Sequence, residues 1–249
     1  MKRAVLLIAT AVVCSCGSTY TEVTDLKVYY DTEKTKIKED GTLINGLEEG
    51  AWNYYSEKGK IIKQGTYKDG LQDGRWYYAI PDIDKEIVWQ KVEIRKLNFS
   101  LPINFIYKEE LSDSSNYVYR NTQQHSLLKI SIVEDCSKIC VAGYYDLTLK
   151  ALQKSNAVLS SKSLKIESKN GDVFLDSYLL NNRNKDSLRQ LMLYKGLSDK
   201  NAIIFTIVDL NKNTEYIKFI VSEVFNHVKY NYERVMPSSG EMTVYDLFK

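Results

Sequence analysis

Histidine is scarce, with two in 249 residues, a thin supply for imidazole catalysis or a histidine-built metal centre. Proline and glycine are also few, at 3 and 12, which excludes collagen-like and low-complexity chains. Beyond the N-terminus no apolar stretch approaches the length that spans a bilayer as a helix. The chain does have ordinary globular proportions, 44% hydrophobic and 27% charged, so a buried core is expected. Tyrosine is abundant, at 19, which points to half-buried sheet positions or an aromatic surface. The length suits one large domain or two small ones at roughly 100 to 200 residues each, and two are expected here.

Lys2 and Arg3 precede the apolar run Ala4 to Val13, broken only by Thr10. This is the build of a secretory signal peptide. The stretch Val13-Cys14-Ser15-Cys16-Gly17 resembles the bacterial lipobox: an aliphatic residue at −3, a small one at −1, then the cysteine that is acylated. Cys16 fits that role, because Cys14 would place bulky Val13 at −1. The resemblance implies a 1–15 leader and a lipid anchor on Cys16, held by ~0.8 kcal/mol per buried methylene. Losing Lys2 and Arg3 with the leader takes the formal charge from +2 to zero, so no global basic field draws nucleic acid. Gly17 is not the aspartate that resembles an inner-membrane retention signal, and Ser18 to Asp25 lack a surface-export acidic cluster. The expectation is an outer-membrane, periplasm-facing lipoprotein.

Seven glycines lie between positions 41 and 74, and a 24-residue offset explains them. Gly41-Thr42 returns as Gly65-Thr66, Gly46-Leu47 as Gly70-Leu71, Gly50 as Gly74, Trp52 as Trp76 and Tyr54 as Tyr78. Short β-prone runs between turn signals make this a ladder of hairpins. The segments Gly50-Ala51-Trp52-Asn53-Tyr54-Tyr55 and Gly65-Thr66-Tyr67 through Gly74-Arg75-Trp76 resemble the variant MORN repeat. That resemblance implies scaffolding, or a lipid- or partner-binding surface, over 16–95. Trp52, Tyr54, Tyr55, Tyr67, Trp76 and Tyr78 are expected first to pack within the ladder, with a ligand-binding surface as the alternative. The flanking runs Leu26 to Tyr30 and Glu86 to Ile94 are expected to extend or cap the sheet.

From Lys96 glycine thins out and alternation begins. Leu97, Phe99 and Leu101 share one strand face, as do Leu128, Ile130 and Ile132. Tyr145, Leu149 and Leu152 predict a helix from about 142 to 156, and Ile217, Ile220, Val221, Val224 and Val228 predict another from about 214 to 230. Strands are expected at 164–167, 173–180, 188–194 and 202–208, with a turn at 181–184. The last of these, apolar on both faces, is expected to be central. The whole chain is thus expected to be α+β, MORN-like hairpins followed by an antiparallel sheet packed with two helices. The order of elements over 96–235 resembles the PsbP-like superfamily, and a tail follows at 236–249. The superfamily includes photosystem II extrinsic subunits, a nuclear-import factor and bacterial lipoproteins, so the resemblance implies a binding or assembly domain rather than an enzyme.

Cys136 and Cys140 are the one local cluster with chemistry. In an oxidising envelope the pair can close a small disulfide. The redox motif has two intervening residues rather than three, and a metal would need further ligands such as His125. His227 sits beside apolar Val228 as a boundary residue, and Glu48-Glu49 and Glu109-Glu110 flank turn signals as solvated pairs. No nucleophile elbow, phosphate loop or zinc-binding helix appears. No catalytic residue, metal or cofactor is therefore assigned. The expected function is a membrane-anchored envelope adaptor for a protein partner, with lipid or glycan binding by the aromatic hairpins as the alternative.

Overall fold

The computed structural model describes residues 21–79, 85–123, 125–136, 158–167, 172–181, 187–197, 200–209 and 214–236, with Ile8–Ala9 and a few isolated positions besides. Most of the leader, Cys16, Cys140 and residues 237–249 lie outside them. The chain divides into two compact units, one of residues 1–94 and 98–102, the other of 95–97 and 103–249.

Unit 1 is an antiparallel sheet in simple chain order: β1 (Val23–Tyr29), β2 (Ile37–Ile44), β3 (Leu47–Tyr55), β4 (Ile61–Lys68), β5 (Leu71–Tyr78), β6 (Lys85–Ile94) and β7 (Leu97–Pro102). Two of its hairpins turn on Asn45-Gly46 and Asp69-Gly70, where all four residues hold positive φ. Two left-handed residues in a row give the turn whose twist matches that of the strands it joins. Gly50 and Gly74, at φ +70° and +63°, lie where the pairing of β3 with β2 and of β5 with β4 skips register, between Asp40/Thr42 and Gln64/Thr66. These paired bulges sit 24 residues apart, as the sequence offset requires. The runs expected to flank the repeat do form strands, β1 and β6, paired to β2 and β5.

Unit 2 is an antiparallel sheet built from β8 (Phe105–Tyr107), β9 (Asn116–Asn121), β10 (Ser126–Val133), β11 (Val158–Ile166), β12 (Val173–Asn181), β13 (Ser187–Gly196) and β14 (Ala202–Asp209). Its spatial order is β11-β12-β13-β14-β10-β9-β8. Among the described residues of this sheet, the pairing of β14 with β10 is the one that joins distant parts of the chain. The helix α1 (Thr214–His227) follows β14. Its buried residues Phe219, Ile220, Val221, Val224 and Phe225 extend the expected stripe by two aromatic rings, and Phe225 meets Phe205 of β14 edge to face at 5.7 Å. On β14, Ile203, Phe205 and Ile207 are fully buried, while Thr206 and Val208 of the opposite face are half-buried. The strand is central, but only one of its faces is sealed along its whole length.

The balance of elements corrects the α+β expectation. Strand dominates both units, and among the described residues one complete α-helix stands, α1. The helix expected at 142–156 falls largely outside the described residues, as does the turn at 181–184. The predicted strands came out short, because 158–166 and 187–196 run as full nine- and ten-residue strands. Their lysines, serines and arginine disguise the apolar alternation on which strand recognition depends.

Candidate functional site

The aromatic residues proposed for binding in unit 1 mostly face inward. Trp52, Tyr67, Trp76 and Tyr78 are 3%, 1%, 0% and 0% exposed, and only Tyr54 and Tyr55 are half-buried. The reason is steric. A Cβ on Gly41 would lie 2.2 Å from the Trp52 ring, and one on Gly65 would lie 2.2 Å from the Trp76 ring. Each indole therefore lies flat on the bare backbone of the neighbouring strand, in space that only glycine leaves open. Each also donates its N–H to the next carbonyl, Trp52 to Thr42 at 3.2 Å and Trp76 to Thr66 at 3.0 Å. Tyr54 and Tyr78 stack on their own tryptophans at 6.2 and 6.1 Å. Tyr67 stands edge-on between the two indoles and shares a hydrogen bond with the Tyr54 hydroxyl.

The ladder's polar tips are also taken up inside unit 1. The Tyr78 hydroxyl accepts from Trp89 Nε1 and Gln72 Nε2, and the Ser100 hydroxyl donates to the Gln72 carbonyl at 2.6 Å. The Lys63 ammonium lies 4.7 Å over the Tyr54 ring and 5.0 Å over the Trp76 ring, a cation–π contact within the repeat. Glu49, expected to be solvated, instead accepts from the Asp69 backbone N–H at 2.8 Å and holds the second hairpin tip. The opposite face of this sheet carries a shallow hollow of about 310 Å³, lined in part by the exposed Arg75–Glu86 ion pair. Four of the six rings are thus spent in the core of unit 1, and Tyr54 and Tyr55 keep part of their surface.

Unit 2 offers more. On the sheet face opposite the one that buries Phe205, a groove of about 450 Å³ is lined by Asn116, Lys129, Ser131, Met192, Tyr194 and Ile204, among others. The register explains the grouping. Lys129 pairs with Val118 on one side and Thr206 on the other, Thr206 pairs with Met192, and Ser131 pairs with Ile204. Met192, Tyr194 and Ile204 form a buried apolar floor with Tyr178, Leu180, Ala202 and Cys136. The Tyr194 hydroxyl donates to the Met192 sulfur, and the Tyr178 hydroxyl to the buried Asp176 carboxylate at 3.0 Å.

Next to the groove on the same face, Arg120 pairs with Leu127, Leu127 with Val208, and Arg120 with Ile106 of the edge strand β8. Arg120 and Ile106 are exposed, while Leu127, Val208 and Lys129 are half-buried. Beyond the edge, Ile103 and Leu111 are also exposed. Among the described residues neither Arg120 nor Lys129 makes a hydrogen bond or ion pair. The nearby acids are committed elsewhere: Glu134 pairs with Arg95, and Asp113 accepts from the backbone N–H of Ser115 and Asn116. Those N–H donors first, and the Lys129 charge least, hold the Asp113 carboxyl below the usual range.

The remaining candidates separate. Cys136 is buried and engaged rather than free, and Cys140 lies outside the described residues. His125 occupies an exposed turn at φ +47°, and no cluster of three or more metal-binding side chains occurs among the described residues. His227 Nδ1 donates to the Glu223 carbonyl at 2.7 Å at the end of α1, a boundary role. A feature that sequence reading missed is Lys195, buried on β13 with its ammonium donating to the Val235 carbonyl at 2.6 Å. Burial pushes its pKa down, opposed by Glu233.

No protein-family model and no curated protein matches this chain. Among solved structures it is similar to cyanobacterial PsbP (CyanoP) from Synechocystis, at a TM-score of 0.45 and 12% identity over 57% of this chain and 92% of that one. It is also similar to the Ran-binding protein Mog1p of Saccharomyces cerevisiae, at a TM-score of 0.43 and 10% identity over 58% and 96%. Solved structures similar to this chain thus include PsbP-like and Mog1 folds, and likeness at this level says nothing of ligand or partner.

Proposed function

We propose that the protein is a lipid-anchored envelope adaptor, held in the outer membrane by acylated Cys16 and binding a protein partner on its periplasmic side. In this reading unit 1 is a stiff spacer and unit 2 presents the binding surface. The observation that supports it is the contrast in what each unit leaves open. Unit 1 spends most of its ladder rings in its own core, whereas unit 2 leaves an amphipathic sheet face with two cations, Arg120 and Lys129, that make no hydrogen bond or ion pair among the described residues. Cys136 and Cys140 are proposed to close a small disulfide that shapes the connection after β10.

The anchor and the adaptor role are tested separately. Cys16→Ala is expected to leave the protein uncleaved or in the soluble fraction, and a mature-sized band still partitioning into detergent would contradict lipidation. Affinity capture of the lipidated protein from native membranes, beside lipid and glycan arrays, is expected to return one stoichiometric protein partner and no array signal. Saturable glycan or lipid binding lost on changing Tyr54 and Tyr55 would favour the alternative.

A further inference from the structure

Resting on the adaptor reading, we infer that the groove face of unit 2 binds an acidic, apolar-studded peptide segment of the partner, with its carboxylates on Lys129 and Arg120 and an apolar side chain on the Met192–Ile204 floor. Arg120 and Lys129 are diagonal neighbours on adjacent strands, a relation that puts two residues of one face roughly 7 to 8 Å apart. Two cations at that separation match carboxylates on alternate residues of an extended segment, which repeat at about 7 Å. Both cations lack a hydrogen bond or ion pair among the described residues; Lys129 feels the Asp113 carboxylate only at a distance, and Glu134, which also lines the groove, is paired with Arg95, so incoming carboxylates displace no direct contact.

The surroundings set the rest of the chemistry. Ile106, Leu127 and Val208 flank Arg120 in one row across three strand pairings, and they leave apolar surface beside the charge. On the other side of Lys129 the floor is recessed: Met192 and Ile204 are 8% and 9% exposed yet line an open groove. A planar membrane surface touches the cations but does not reach such a floor, whereas a side chain on a peptide does. Charge complementarity combined with a recessed apolar floor therefore favours a peptide over an anionic bilayer.

The test is photocrosslinking in the full-length, lipidated protein in its native envelope. Leu127→p-benzoylphenylalanine reports on the groove face and Tyr77→p-benzoylphenylalanine on the exposed sheet face of unit 1. The crosslinked segment at 127 is sequenced by mass spectrometry. The expected result is a segment carrying acidic residues interleaved with apolar ones, its yield falling at least tenfold when Arg120→Glu and Lys129→Glu are combined in a variant with unchanged circular dichroism. A milder Lys129→Gln variant, expected to lose severalfold, serves if the double variant fails to fold. An adduct with phospholipid, with residues 237–249 of the same chain or with a second copy would overturn the proposal, as would a yield indifferent to both charge changes. A protein captured at 77 but not at 127 would remove this site and keep the adaptor. No protein at either position would remove both.

Discussion

The two units solve the same problem, burying one face of an antiparallel sheet, with different materials. In unit 1 the filler is aromatic and the receptacle is glycine, and each indole has one place to lie, set by Gly41 or Gly65 and by a carbonyl for its N–H. In unit 2 the filler is aliphatic with phenylalanine: Ile203, Phe205 and Ile207 of β14 are buried, and Phe205 meets Phe225 of the α1 stripe. The first arrangement specifies every side chain but leaves little surface to offer a ligand. The second, with a helix on one face, leaves a groove on the other among the described residues. Steric specificity and binding surface are thus divided between the units.

Removing an indole is the hardest blow to that division. Trp76→Ala is expected to destabilise unit 1 by about 3 to 5 kcal/mol, with Trp52→Ala slightly milder because its ring retains some exposure. Urea unfolding followed by the remaining tryptophans reads the loss, and a cost under about 1 kcal/mol would show that the ladder is not the core. Adding a methyl should cost less than removing the ring. Gly65→Ala must push the Trp76 ring off the strand, for about 1 to 3 kcal/mol. If it proves neutral, the indole does not lie on Gly65.

A smaller effect sharpens the comparison from the side of unit 2. Tyr119 is held protonated, its pKa pushed up to about 12 by burial and then by the neighbouring Tyr107 and Tyr117. Unfolded, it ionises near pH 10. Between those values the unfolded state binds fewer protons than the folded one, so stability falls as pH rises from about 10 to 12. Tyr119→Phe is expected to remove about 1 to 2 kcal/mol of that fall and to change nothing below pH 9. Chemical unfolding at several alkaline pH values, read by circular dichroism, checks the slope.

The sequence disclosed unit 1 far more fully than unit 2, for physical reasons. A glycine that admits a ring, or a bulge that needs positive φ, tolerates almost no other residue, so its spacing survives as text. Even there the equivalence of Asn45 and Asp69 passed unnoticed, though each precedes a repeat glycine and both adopt the same left-handed turn. In unit 2 alternation exposed the strand Ser126–Val133, and a continuous apolar run exposed Ala202–Asp209. It did not expose the groove face, because Lys129 meets Met192 only through the pairing of β10 with β14, strands separated by about 70 residues of chain. The sequence groups the aromatic residues and favours packing for them, but it does not place them: side-chain type reveals that a ring packs, while the glycine opposite reveals where. The excess of strand over helix escaped for a related reason, since polar residues on half-buried strands blur the two-residue period.

The three tryptophans, Trp52, Trp76 and Trp89, are all in unit 1 and all buried, so intrinsic fluorescence reads the central claim that the ladder is core rather than contact surface. Acrylamide quenching of the intact protein, repeated with anionic vesicles and with a glycan mixture, is the measurement. The account predicts blue-shifted emission, weak quenching, and no change on adding either ligand. Emission near that of free tryptophan, or quenching relieved by vesicles or glycan, would place the indoles at a binding surface and contradict it.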